Sequence, residues 1–341
     1  MASIETPLAG SATRRGATRT HNEDSFGLPP AWAEPALLQR KGWLYIVADG
    51  MGGHQAGEEA SRRAVSRIGH EYYIDLSADV PASLERAIAL ANMEVYREAL
   101  RSPALRGMGT TVTAAVVRGR DLYVANVGDS RAYVIRGGRA HQVTQDHSWV
   151  AEQVGRGLLT PEQARTHPQR NVITRSLGTQ PNVEVDHFHV ELMPGDRLLL
   201  CTDGLSNVVT DDDLAALVVE CDEPADATEE LLDLADGSNR TDDATAVVVH
   251  IPGPSAPALR RAAPARLWVP LVISAGLLAV MLALFGLFLL WDRGGFARPT
   301  PAPLADELTP AALEATTTPT PTGELTPTAE ATPSPSPSPT L

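Results

Sequence analysis

The chain has 341 residues, 43% hydrophobic and 21% charged, with a formal net charge of −14. Residues 1–252 hold 23 basic and 36 acidic side chains, a surface that repels nucleic-acid backbones and argues against DNA or RNA binding. The two cysteines, Cys201 and Cys221, are too few for a disulfide framework or a cysteine-based zinc site.

In chain order, a polar loop containing Asn22, Glu23 and Asp24 comes first. The apolar run Trp43 to Asp49 (WLYIVAD) follows and predicts a strand ending in a turn. Gly57 to Ser77 and Ala82 to Ser102 read as two long helices. In the second, Leu84, Ile88, Ala91 and Val95 recur at helical spacing and Pro81 stands at the start. TTVTAAVVRG, DLYVANVGD and RAYVIRGG then succeed one another so closely that only hairpins fit, which predicts antiparallel pairing. VEVDHFHV (Val183 to Val190) alternates apolar and polar, as a strand with one covered face should. DRLLLCTD and DATAVVVHI add two strands, with helices near Asp212 to Val219 and Pro224 to Ala235 between them. The pattern predicts an α+β domain of antiparallel sheets with helices packed outside.

Pro252, Gly253, Pro254 and Pro257 begin a linker, residues 253–266. Residues 267–291 form 25 uncharged, mainly apolar positions bounded by Trp268 and Trp291, which predicts one transmembrane helix. Arg260, Arg261 and Arg266 precede it, against Arg293 and Arg298 with Asp292 after it. With no apolar run at the N-terminus, this bias predicts a cytoplasmic domain over residues 1–252 in a single-pass plasma-membrane protein. Residues 292–341 would lie outside as a disordered tail rich in proline, threonine and serine.

The informative acids stand where apolar strands meet turns. Asp49 precedes GMGGHQAG, Asp129 precedes Ser130 and Arg131, Asp203 precedes Gly204, and Asp242 and Asp243 precede ATAVVV. A lone strand-end aspartate is usually a turn or cap residue. Four such sites point instead to an oxygen-rich pocket for Mg²⁺ or Mn²⁺. Neither a calcium loop nor a G-x-x-x-x-G-K-[ST] phosphate loop occurs.

Six motifs, in order, resemble those of the type 2C metal-dependent protein phosphatase family. They are Arg19-Thr-His-Asn-Glu-Asp24, Ala48-Asp-Gly-Met-Gly-Gly-His54, Gly109-Thr-Thr111, Val127-Gly-Asp-Ser-Arg131, Thr202-Asp-Gly204 and Asp242-Asp-Ala-Thr245. The resemblance extends from about residue 6 to 251 and is greatest to bacterial membrane-anchored members that accompany receptor-like serine/threonine kinases. It implies a four-layer α-β-β-α sandwich of two antiparallel sheets, and hydrolysis of phosphoserine and phosphothreonine on cytoplasmic proteins with two to three Mn²⁺ or Mg²⁺ ions. It assigns Asp49 to both metals, Asp203 and Asp242 to the first, Glu23 and the Gly50 carbonyl to the second, and Asp129 to a weaker third. Arg19 would clamp the phosphate. His54 is either a general acid or phosphate contact, or a loop histidine bonded to backbone. Asp243 stands where the family usually has asparagine, and would either tighten the metal site or contact its water. Residues His147 to Thr179 resemble the family's variable flap. Phosphorylated proteins, especially membrane kinases and their substrates, would be the partners. The alternative is an inactive membrane-bound scaffold that binds phosphoproteins or kinases; a sigma-factor regulator phosphatase would carry a sensory domain, and none is visible.

Overall fold

The computed structural model describes residues 6–52, 56–238 and 240–252. The chain separates into two units, Met1–Arg260 and Arg261–Leu341, and every described residue belongs to the first. The predicted linker, transmembrane helix and tail lie outside the described residues, as does His54. Among the described residues no helix is long and apolar enough to cross a membrane.

Among the described residues, eleven strands build two sheets, with every pairing antiparallel. The first sheet contains β1 (Leu8–Arg14), β11 (Ala244–His250), β10 (Arg197–Cys201), β7 (Arg131–Arg136) and β8 (Arg139–Gln142), in that spatial order. The second orders β2 (Asp24–Gly27), β3 (Trp43–Met51), β5 (Val112–Arg118), β6 (Asp121–Val127) and β9 (Asp186–Glu191), and short β4 (Gly109–Thr110) pairs with the end of β3.

The apolar runs of the central strands have no polar face because both of their faces are covered. In β3, Leu44 and Ile46 pack on helices α2 (Ala56–Ile74) and α3 (Val80–Arg101), while Trp43, Tyr45 and Val47 face the other sheet. In β11, Ala246 and Val248 pack on α7 (Asp211–Glu220) and α8 (Pro224–Gly237), while Val247 and Val249 fill the space between sheets. The result is three apolar cores between four layers, helices outside and sheets within. In α2, Ala56, Ala60, Ala64, Ile68 and Tyr72 recur every fourth residue along the buried stripe, and the alanines bring the helix close to the sheet. Asp79 caps α3 by accepting the Ala82 N–H, and Pro81 occupies its first turn.

Several boundaries differ from the sequence pattern for physical reasons. The helix predicted to reach Ser77 ends at Ile74, because the Asp75 carboxylate turns back onto the Ser77 N–H and pairs with Arg86. β9 begins at Asp186, not Val183, because Asp186 opposes Asn126 near the end of its partner β6. β6 and β7 do not form a hairpin. Gly128, Asp129 and Ser130 carry the chain from the second sheet to the first, and Gly128 adopts φ +109° there. Asp24 is not a loop residue but opens β2 opposite Asp49. Strands β1 and β8 and the short helices α1 (Pro35–Lys41), α4 (Trp149–Gly155), α5 (Pro161–Arg165) and α6 (Asp203–Ser206) carry no strong periodicity and were not legible in the sequence.

Candidate metal centre at the sandwich edge

Each strand-end acid reaches the same edge of the sandwich by a different route. Asp49 ends the apolar part of β3 with its backbone fixed on both sides. Its N–H donates to Thr111 Oγ1 (2.9 Å), and its carbonyl accepts from the Thr111 N–H (2.8 Å) and Thr110 Oγ1 (2.9 Å). Asp203 opens α6 directly after β10, and Asp242 and Asp243 lead into β11. Asp129 sits in the crossing between sheets. Gly50 is packed so closely that a Cβ there would lie 2.5 Å from the Glu23 carbonyl and would also strike the Gly57 carbonyl. Only glycine permits that approach.

Burial sets the electrostatics. Asp49 and Asp129 are held well above the usual carboxylate range, first by burial and then by repulsion from neighbouring aspartates; Asp203 is raised for the same reasons. Asp24 is pushed up to about 8 by burial, against the hydrogen bonds donated to its Oδ2 by Thr202 (2.8 Å) and Thr245 (2.7 Å). One oxygen each of Asp24, Asp129 and Asp203 is buried with no hydrogen-bond partner among the described residues. Unpaired buried carboxylate oxygens facing like charges are costly unless a cation joins them.

Arg19 supplies a positive group at the mouth of this edge. Its side chain is 40% exposed and pairs with Glu23 Oε2 (3.0 Å) and Asp242 Oδ1 (2.5 Å). It therefore spans the two carboxylates that the resemblance gave to different metals. Among the described residues no three His, Cys, Asp or Glu side chains form a closed ligand group. Part of the reason is visible: Arg19 engages Glu23 and Asp242, and Asn207 Nδ2 donates to Asp203 Oδ2 (3.0 Å). The donor set still fits hard divalent cations, being all oxygen, buried or half-buried, mutually repelling and, at Asp129 and Asp203, left with orphaned acceptors.

The segment from His147 to Thr179 leaves the same edge and returns to it. Leu177 exchanges backbone hydrogen bonds with Thr110 (3.1 and 2.8 Å), and Ser148 bridges Ile173. Buried His147 anchors its start: its Nδ1 accepts the Gly128 N–H (3.0 Å) and its Nε2 lies 3.1 Å from Asp186 Oδ2. That bond at Nδ1 puts the ring proton on Nε2. Arg131, part of the Val127–Arg131 motif, is engaged by Asp146 (2.6 Å), so it supports the crossing.

The structure thus brings Arg19, Glu23, Asp49, Gly50, Asp129, Asp203 and Asp242 to one edge. Sequence reasoning gave no role to Asp24, Thr202, Thr245 or His147. Both oxygens of Asp243 accept backbone N–H groups, from Gly16 and Glu23.

The family model described as Protein phosphatase 2C matches residues 14–236. The chain belongs to the protein phosphatase 2C family. It is 37% identical over 237 residues to the serine/threonine protein phosphatase PstP of Mycobacterium tuberculosis, covering 70% of this chain and 43% of that one, so it spans less than half of that relative. It is 36% identical over 240 residues to the protein phosphatase PhpP of Streptococcus pneumoniae, covering 69% and 94%. Among solved structures, the Staphylococcus aureus phosphatase Stp1 superposes with a TM-score of 0.68 at 35% identity over 74% of this chain and 98% of that one. The catalytic domain of PstP in complex with two manganese ions superposes with a TM-score of 0.63 at 33% identity over 72% and 98%. The fold of two antiparallel sheets with flanking helices is therefore that of this phosphatase family.

Proposed function

We propose that the chain is a metal-dependent protein serine/threonine phosphatase that hydrolyses phosphoserine and phosphothreonine on cytoplasmic proteins. The observation that carries this reading is the set of mutually repelling carboxylates at one sandwich edge, several of them buried with orphaned oxygens, with Arg19 at its mouth. The family relationship agrees with it. Asp49 would serve two Mn²⁺ or Mg²⁺ ions, Asp203 and Asp242 the first, Glu23 and the Gly50 carbonyl the second, and Asp129 a third. When bound, such ions supply an activated water and neutralise charge developing on the phosphoryl group. The chain's own part is to hold five acids against their repulsion and to present a guanidinium fork suited to two phosphoryl oxygens. Arg19 is accessible enough to exchange its carboxylate partners for substrate. Every acid position expected of an active family member is filled, so nothing favours the inactive scaffold.

The setting of the enzyme belongs to the same proposal. Residues 267–291 have the length and apolarity of a single span, and the preceding arginines favour a cytoplasmic catalytic domain. A plasma-membrane anchor would place the enzyme beside membrane serine/threonine kinases, its proposed partners.

Asp242→Asn in the full chain tests the chemistry. It should fold normally and lose at least about two orders of magnitude in kcat on a phosphothreonine peptide. Unchanged turnover would reject the assignment. Protease added to intact spheroplasts tests the topology, and should trim residues beyond Arg298 while sparing the catalytic domain; the reverse pattern would reject it.

A further inference from the structure

Asp243 is 2% exposed, and each oxygen of its carboxylate accepts one backbone N–H. Oδ1 accepts the Gly16 N–H and Oδ2 accepts the Glu23 N–H, both at 2.8 Å. These two amides are the two ends of the loop that carries Arg19. Other contacts close the same loop onto residues 240–242. Thr18 Oγ1 donates to the Thr241 carbonyl (2.9 Å), and Arg240 donates to the carbonyls of Arg14, Arg15 and Asp242. Gly16 lies so close that a Cβ would sit 2.6 Å from the Asp242 carbonyl carbon. Within the loop, the Arg19 N–H turns back onto the Gly16 carbonyl (3.1 Å).

We propose that Asp243 is a positioning residue that clasps both ends of the Gly16–Glu23 loop, and so sets Arg19 for phosphate without ligating metal or touching substrate. The proposal rests on the assignment of Arg19 to phosphate. Its physical basis is the acceptor count. A carboxylate offers acceptors on both oxygens and no donor, whereas an amide offers one oxygen and an NH₂ group. Asparagine here would face one of the two amide N–H groups with another donor, leaving one end of the loop unclasped. A buried N–H stripped of its acceptor is costly, so the loop would open at that end. The guanidinium of Arg19, held by Glu23 at one end and by Asp242 beside the clasp, would lose its fixed place.

The test is a double-mutant cycle in the full chain with Asp243→Asn, Arg19→Ala and both together, at saturating Mn²⁺. The probe is inorganic phosphate as a competitive inhibitor, with trypsin cleavage after Arg15 and Arg19 followed by mass spectrometry. Asp243→Asn should raise the phosphate inhibition constant about tenfold in the wild-type background and less than about twofold in the Arg19→Ala background. It should also speed cleavage in the loop about tenfold, with the melting transition retained. An unchanged inhibition constant, or an equal effect in both backgrounds, would overturn the proposal. Should Arg19→Ala alone leave phosphate inhibition unchanged, the phosphate assignment of Arg19 fails, and the clasp is then decided by cleavage: a wild-type rate in Asp243→Asn rejects it, and a faster rate retains the clasp of the loop alone.

Discussion

Asp24 and Asp49 stand opposite each other in register across β2 and β3, one buried and one half-buried acid on neighbouring strands. The Asp24 carboxylate reaches across the sandwich to hydroxyls that follow β10 and lie in β11, so this one residue ties the second sheet to the first. Folding places these acids close together at a cost, and that cost depends on pH.

The sign follows from linkage. A carboxyl whose folded pKa is raised contributes stability that is fully present below its unfolded pKa and is lost as pH rises through the folded value. Asp24 is raised to about 8, and Asp49, Asp129 and Asp203 are raised with it. His250, pushed down to about 4 by burial, acts oppositely but only below about pH 6.5. Chelator-treated protein should therefore melt at lower temperature at pH 8 than at pH 6.5, and added Mn²⁺ should raise Tm more at pH 8. A Tm that is flat across this window, with or without Mn²⁺, would contradict the electrostatic picture.

Arg19→Ala should weaken inorganic phosphate and substrate binding, at a total cost of about 2–4 kcal/mol shared between ground and transition states. Calorimetric titration with Mn²⁺ should show the metal stoichiometry retained. Lost metal with phosphate affinity intact would make Arg19 a structural partner of Glu23 and Asp242.

Gly50→Ala should destabilise the domain by about 3 kcal/mol or more, because its Cβ meets two backbone carbonyls that have no room to retreat. Urea unfolding of the variant measures this. Gly69→Ala is the control: it lies inside α2, where a Cβ meets nothing within 4 Å, and should be neutral or stabilising.

His147 offers a separable test of the crossing and the returning segment. His147→Asn keeps an acceptor near the position of Nδ1 for the Gly128 N–H but gives up Asp186; His147→Gln keeps a donor for Asp186 but gives up Gly128. Hydrogen exchange should rise about tenfold at Gly128 in the glutamine variant, and over residues 174–186 in the asparagine variant. The same exchange pattern in both variants would show that the two bonds are not independent.

What the sequence revealed, and what it hid, follows from where each signal resides. Asp49, Asp129, Asp203 and Asp242 were legible because each interrupts an apolar strand at a turn, a local pattern that burial on both strand faces enforces. Asp24 read as part of a polar loop because its neighbours are Asn22, Glu23 and Ser25, while its burial comes from Thr202 and Thr245, far away in sequence. Asp243 was visible as a departure from the family pattern, yet its role lies in two backbone amides more than 200 residues away, and no residue type encodes those. The hairpin reading of β6 and β7 failed for a related reason. Close spacing limits a connection to a tight turn, but it does not determine whether the turn stays in one sheet, and here Gly128 and Asp129 cross to the other.

The most direct test of the proposed metal-dependent phosphatase centre is turnover of a phosphothreonine peptide by the 341-residue chain, first with Mn²⁺, then with excess chelator, then with Mn²⁺ restored. Activity should vanish in chelator and return with the metal, because the proposed mechanism assigns activation of the attacking water to the bound ions. Turnover that persists in chelator would contradict the assignment of this edge as a metal-dependent active site.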